Sequence, residues 1–139
     1  MLHFMNFTLF TNFIGLLLAL FSVTVNALPI GELHMRDVFV PPVTSPTADA
    51  VWAVGSVQTV TWNTTDAPEQ ITNPIGRIML RKGGLTTNNT LADGFDILLG
   101  TINVTVPDVE PGDDYEIVLF GDSGNFSPVF EIVAADNGY

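Results

Sequence analysis

The chain has 139 residues, with 15 Asp and Glu against 4 Lys and Arg, a formal net charge of -11 and no cysteine. Such acidity repels phosphate backbones and anionic lipid, which disfavours nucleic acid and a membrane surface as partners. Lack of cysteine excludes thiolate catalysis, Cys-based zinc sites and disulfides, so the fold must rest on its own apolar core.

In chain order, Phe13 to Val23 is an apolar run of signal-peptide length, and Val25-Asn26-Ala27 after it fits the small-residue rule for cleavage. Residues 1–27 are therefore expected to be a signal peptide, placing the protein outside the cell or in the cell wall, with no stable membrane anchor. What remains suits one domain. Residues 28–40 are expected to be an N-terminal extension or a first strand near Val38-Phe39-Val40, residues 41–133 the folded domain, and residues 134–139 a tail.

From Pro41 onward the pattern is that of strands. Val51-Trp52-Ala53-Val54 is short and apolar, and Gly55-Ser56 reads as a turn. In Val57 to Asn63, alternation sends Val60 and Trp62 to one face and Thr59, Thr61 and Asn63 to the other. Ile75 to Arg81 places Ile78 and Leu80 inward and Arg77 and Arg81 outward. Lys82-Gly83-Gly84 ends that strand, and Leu85 to Thr90 reads as a polar loop. A long strand is expected over Ile97 to Val106, with Ile102, Val104 and Val106 alternating with Thr101, Asn103 and Thr105. Tyr115 to Phe120 follows the acidic, turn-rich segment Pro107 to Asp114, and a tyrosine in that position predicts a tyrosine corner. The last strand is Val129 to Val133, joined to its predecessor by the loop Gly121-Asp122-Ser123-Gly124-Asn125. With no sustained helical period, the expectation is an all-β, antiparallel immunoglobulin- or fibronectin-III-like sandwich of about seven strands.

Secretion gives meaning to the sequons at Asn63, Asn88, Asn103 and Asn125, which are the candidate N-glycosylation sites. Asn63 and Asn103 fall on the polar faces of their strands.

The letters GDSG around Ser123 invite a nucleophile reading. A catalytic serine needs a base and a group to orient it. The one histidine past residue 27, His34, lies in a stretch without strand pattern, and Ser123 sits between strands, so a tight turn is the expectation. Loop carboxylates such as Asp113, Asp114 and Asp122 lack the fixed separation that glycosidases need, and no EF-hand-like loop offers a calcium site. Trp52 and Trp62 follow the inward pattern of their strands and are expected in the core. Arg77, Arg81 and Lys82 are expected to pair with surface carboxylates. No catalytic, metal or cofactor site is expected.

Several blocks taken in order carry a resemblance: Arg36 to Pro42; Val51 to Gly55 with Val60 to Thr64; Ile71 to Gly76; Leu91 to Asp96; and Asp114 to Ser127. Together they resemble the N-terminal domain of the fungal yeast-cell-wall-synthesis family, named for proteins that assemble β-1,6-glucan and also called the Ser/Thr-rich GPI-anchored family. The resemblance implies an immunoglobulin-like domain in wall glucan assembly, and it brings no catalytic residue. Family members often continue into a Ser/Thr-rich stalk and a GPI signal, whereas Ala134 to Tyr139 is no apolar run. The expected partners are thus cell-wall polysaccharide (β-glucan) or wall proteins. The alternatives are a glycan-active enzyme using Asp113, Asp114 and Asp122, and an extracellular protein-binding module.

Overall fold

A computed structural model describes residues 38–138. The expected signal peptide, residues 28–37 and His34 with them, lie outside the described residues. Among the described residues, nine strands run in chain order: β1 (Val43–Ser45), β2 (Val51–Ala53), β3 (Val57–Trp62), β4 (Ile75–Lys82), β5 (Leu85–Asp96), β6 (Thr101–Thr105), β7 (Gly112–Phe120), β8 (Gly124–Phe126) and β9 (Phe130–Val133). They form an all-β sandwich. One sheet has the order β1-β3-β6, the other β2-β9-β7-β4-β5, with β8 also paired to β7. Pairing is antiparallel except where β2 runs parallel to β9. The excess over seven strands comes from three-residue pieces too short to show a sequence period.

The core follows the alternation. Val60, Trp62 and Val104 come from the smaller sheet and meet Ile78, Leu80, Ile117, Leu119 and Ile132 from the larger. Each such side chain contributes about 1.5–3 kcal/mol on full burial, which is how a cysteine-free domain of this size can hold together. Both tryptophans are buried. Trp52 packs on Phe130 with ring centroids 4.6 Å apart, and Trp62 packs on Phe95 at 5.5 Å. The Trp62 indole N–H donates to the Ile97 carbonyl at 2.7 Å, satisfying a polar group inside the core.

Three expectations are corrected. Leu85 to Thr90 is not a loop but the start of β5, a 12-residue strand. Gly83 and Gly84, with φ of 57° and 78°, form the two-residue turn whose backbone matches the twist of a hairpin. Periodicity was hidden there because both faces are polar: Thr86, Asn88 and Thr90 are exposed, while Thr87 and Asn89 are half-buried. Secondly, Ile97 to Leu99 is a single 3-10 turn. Asp96 caps it by accepting from the Leu98 amide at 2.9 Å, and the left-handed Gly100 ends it, so the chain can cross from the larger sheet to the smaller. Thirdly, the Gly121 to Asn125 connection is partly strand, since Gly124 and Asn125 pair with Phe120 and Leu119. At the N-terminal end, residues 38–40 are irregular, though Phe39 is buried in the core.

Candidate functional site

The GDSGN segment acts as a clasp on the incoming chain. Asp122 accepts the Phe39 amide on Oδ2 at 3.3 Å, and Asn125 Nδ2 donates to the Pro41 carbonyl at 3.0 Å. Gly124 lies so close to β7 that a Cβ would stand 2.9 Å from Val118 Cγ2. Ser123 is exposed at the tip of the turn. With the carboxylate beside it bonded to a backbone amide, the geometry is that of a structural turn.

Asp113, Asp114 and Asp122 are not brought together. From Asp114 to the end of β7 at Phe120 the strand rises roughly 20 Å, and Asp122 lies two residues past that end, beyond the separation at which two carboxylates flank one glycosidic bond. Among the described residues, no cluster of three or more His, Asp or Glu side chains could hold a metal. The basic residues pair as expected: Arg77 with Asp93 at 3.0 Å, Arg81 with Glu116 at 3.3 Å and Lys82 with Asp114 at 3.4 Å.

The predicted tyrosine corner is formed. Tyr115 is buried, its hydroxyl donates to the Glu110 carbonyl at 2.5 Å, and it accepts from Lys82 Nζ at 3.2 Å. The Tyr115 hydrogen bond, aided by Asp114, raises the Lys82 ammonium above its ordinary value against a smaller opposing effect of burial.

An open depression lies on the outer face of the larger sheet, a shallow groove of about 510 Å³. Alternation builds it. With Tyr115, Ile117 and Leu119 of β7 pointing inward, Phe120 is left outside, and on β4 Met79 and Arg77 lie opposite the inward Ile78 and Leu80. Ile75, Met79 and Phe120 supply apolar surface. Asn73, Arg77 and Asp93 supply the polar rim, with Asn73 fixed by its bonds to the Ile75 amide and the Gly121 carbonyl. The hydrogen bond from Arg77 holds the Asp93 carboxyl below the usual carboxylate range, so the pair stays charged but sums to zero. On a chain of net charge -11, this is a locally neutral surface of mixed polarity. No site is expected here from the sequence, which by itself leaves the faces of Tyr115 to Phe120 unassigned, although extending the alternation from Tyr115 inward puts Phe120 on the outer face.

Farther along the same face, the Arg81 guanidinium stacks 4.0 Å over the half-exposed Phe126 ring and bonds to Glu116, Thr86 and the Gly84 carbonyl. Of the sequon asparagines, Asn63, Asn88 and Asn103 are exposed and Asn125 is half-buried.

Residues 45–132 match the family model described as the Kre9/KNH-like N-terminal Ig-like domain. Among solved structures, the fibronectin(III)-like modules of CbhA from Clostridium thermocellum are similar at 14% identity and a TM-score of 0.38, covering 71% of this chain and 99% of that one. No curated protein is similar enough to count as a match.

Proposed function

The chain belongs to the Kre9/KNH-like N-terminal Ig-like domain family, and from that membership we propose that it is a secreted, N-glycosylated, non-enzymatic module of the fungal cell wall that binds wall β-glucan. The apolar run and small-residue motif of residues 1–27 support secretion. The family resemblance supports the wall role.

One observation carries the binding mode. The groove joins the apolar side chains of Ile75, Met79 and Phe120 to a neutral polar rim of Asn73, Arg77 and Asp93. A pyranose offers the matching surface, with an apolar C–H face and a rim of hydroxyls that donate and accept. An aromatic ring suits that C–H face, and planar Arg, Asp and Asn groups suit paired hydroxyls. The separation of Asp114 from Asp122 supports binding without hydrolysis.

The test is co-sedimentation of the mature protein with particulate β-1,3-glucan, β-1,6-glucan and chitin, with released reducing sugar measured in the same tubes. Retention on a β-glucan without sugar release is expected. Sugar release would return attention to the carboxylates as catalysts, and neither retention nor release would point to a protein partner.

A further inference from the structure

Five strands among the described residues pair on one side only: β1 and β6 on the smaller sheet, and β2, β5 and the three-residue β8 on the larger. An edge strand exposes unpaired backbone N–H and C=O groups and invites pairing with another chain, so it is ordinarily kept very short or carries charge or proline. The two sides of this molecule differ in that respect. β1 and β2 have three residues each, and prolines 41, 42 and 46 flank β1. β5 has 12 residues, and no charge or proline occurs from Leu85 to Ala92. β6, Thr-Ile-Asn-Val-Thr, has none at all. Register shifts against β4 bend β5, yet its N-terminal two-thirds remain uncharged.

Each of these two unprotected edges carries one sequon with an exposed asparagine, Asn88-Asn89-Thr90 in β5 and Asn103-Val104-Thr105 in β6. We infer that N-linked glycans at Asn88 and Asn103 are the edge caps of the sandwich, one for each sheet, and that they keep the protein monomeric. At Asn103 the side-chain carbonyl accepts from the Thr59 hydroxyl at 2.9 Å, so the engaged atom is not the nitrogen that would carry the sugar. Asn63 lies just past β3, an interior strand, and a glycan there covers no edge.

Asn125 is a structural amide instead. Its Nδ2 is bonded to the Pro41 carbonyl. The hydroxyl residue of its sequon, Ser127, is buried, accepting from the Ile117 amide at 3.0 Å and donating to the Pro128 carbonyl at 2.9 Å.

The donor is a lipid-pyrophosphate-linked oligosaccharide. The asparagine Nδ2 forms a bond to the anomeric carbon of the sugar and loses one proton. The bond from that carbon to the pyrophosphate oxygen breaks, and the lipid pyrophosphate leaves with the electron pair. This inference rests on the proposed function only for passage through the secretory route, which a secretory leader supplies in the test.

The experiment begins with protein secreted from a glycosylating eukaryotic host and treated with amide-cleaving glycosidase in heavy-oxygen water. Peptide mapping is expected to mark Asn88 and Asn103 and to leave Asn125 unmarked. Sedimentation velocity over a range of concentrations then compares two double variants. T90A/T105A removes both sequons and adds nothing, and loss of monomer with rising concentration is expected. T90K/T105K removes both sequons but places a charge on each edge, and it is expected to stay monomeric. Bare Asn88 or Asn103, an occupied Asn125, a monomeric T90A/T105A, or equal association of both variants would overturn the inference. Should T90A/T105A fail to fold, N88Q/N103Q, which also removes both sequons and adds no charge, asks the same question; glycosidase treatment does not, because it leaves an aspartate on each edge. Failure of glucan binding alters none of these readouts, so the two readings fail separately.

Discussion

The Tyr115 hydroxyl donates to the carbonyl of Glu110, five residues upstream, at 2.5 Å, tying the acidic connector to the strand that it enters. The phenol is buried, so losing this bond leaves the connector carbonyl without its protein donor. Tyr115→Phe is expected to lower stability by about 1 kcal/mol. Urea unfolding should show a lower midpoint with an unchanged slope, since no core surface is lost.

Lys82 should make that corner sensitive to alkali. Its ammonium donates to Tyr115 and pairs with Asp114, which raises its pKa in the fold. The contribution is fully present below the unfolded lysine value of about 10.4, and it is lost as pH rises through the higher folded value. Melting curves from pH 8 to 11.5 should therefore converge for wild type and Lys82→Met at the alkaline end and separate below it.

Gly76 is where backbone and ring touch. A Cβ there would lie 2.3 Å from Phe95 Cε2, and Phe95 is in turn packed on Trp62. Gly76→Ala must displace the ring, and overpacking of this kind costs about 1–3 kcal/mol. Thermal unfolding and the near-UV signal of Trp62 would both report it. Gly84→Ala, on an exposed turn with no atom within 4 Å of a Cβ, serves as a contrast that strains only the backbone.

The clasp predicts a local effect. Asp122→Ala removes the acceptor for the Phe39 amide, and Asn125→Ala removes the donor to the Pro41 carbonyl. Each is worth about 1 kcal/mol. Together they should expose residues 38–42 to limited proteolysis well before the domain itself is cut, with cleavage sites read by mass spectrometry.

Should the groove be the glucan site, Phe120→Ala and Arg77→Ala will each reduce the fraction retained on the polymer. Lys82→Met, beyond the groove, will leave retention unchanged. Because Asp93 is held below the usual carboxylate range by Arg77, retention should be flat from pH 5 to 8 and change only as pH falls through the folded Asp93 value.

Where one face of a strand is apolar and the other polar, the sequence alone decided the outcome. Val60 and Trp62 inward of Thr59 and Thr61, Ile78 and Leu80 inward of Arg77, and Tyr115 entering β7 behind a Pro-Gly turn all follow from a side-chain period of two and the cost of wetting apolar surface. Where both faces are polar, as from Thr86 to Thr90, that signal vanishes, and β5 forms only because Gly83 and Gly84 turn it back onto β4. The groove and the clasp were beyond reach for another reason. Asn73, Arg77, Asp93 and Phe120 converge from separate segments, as do Phe39, Pro41, Asp122 and Asn125. Local periodicity fixes which way a side chain points, whereas strand pairing across the sheets fixes which others it meets.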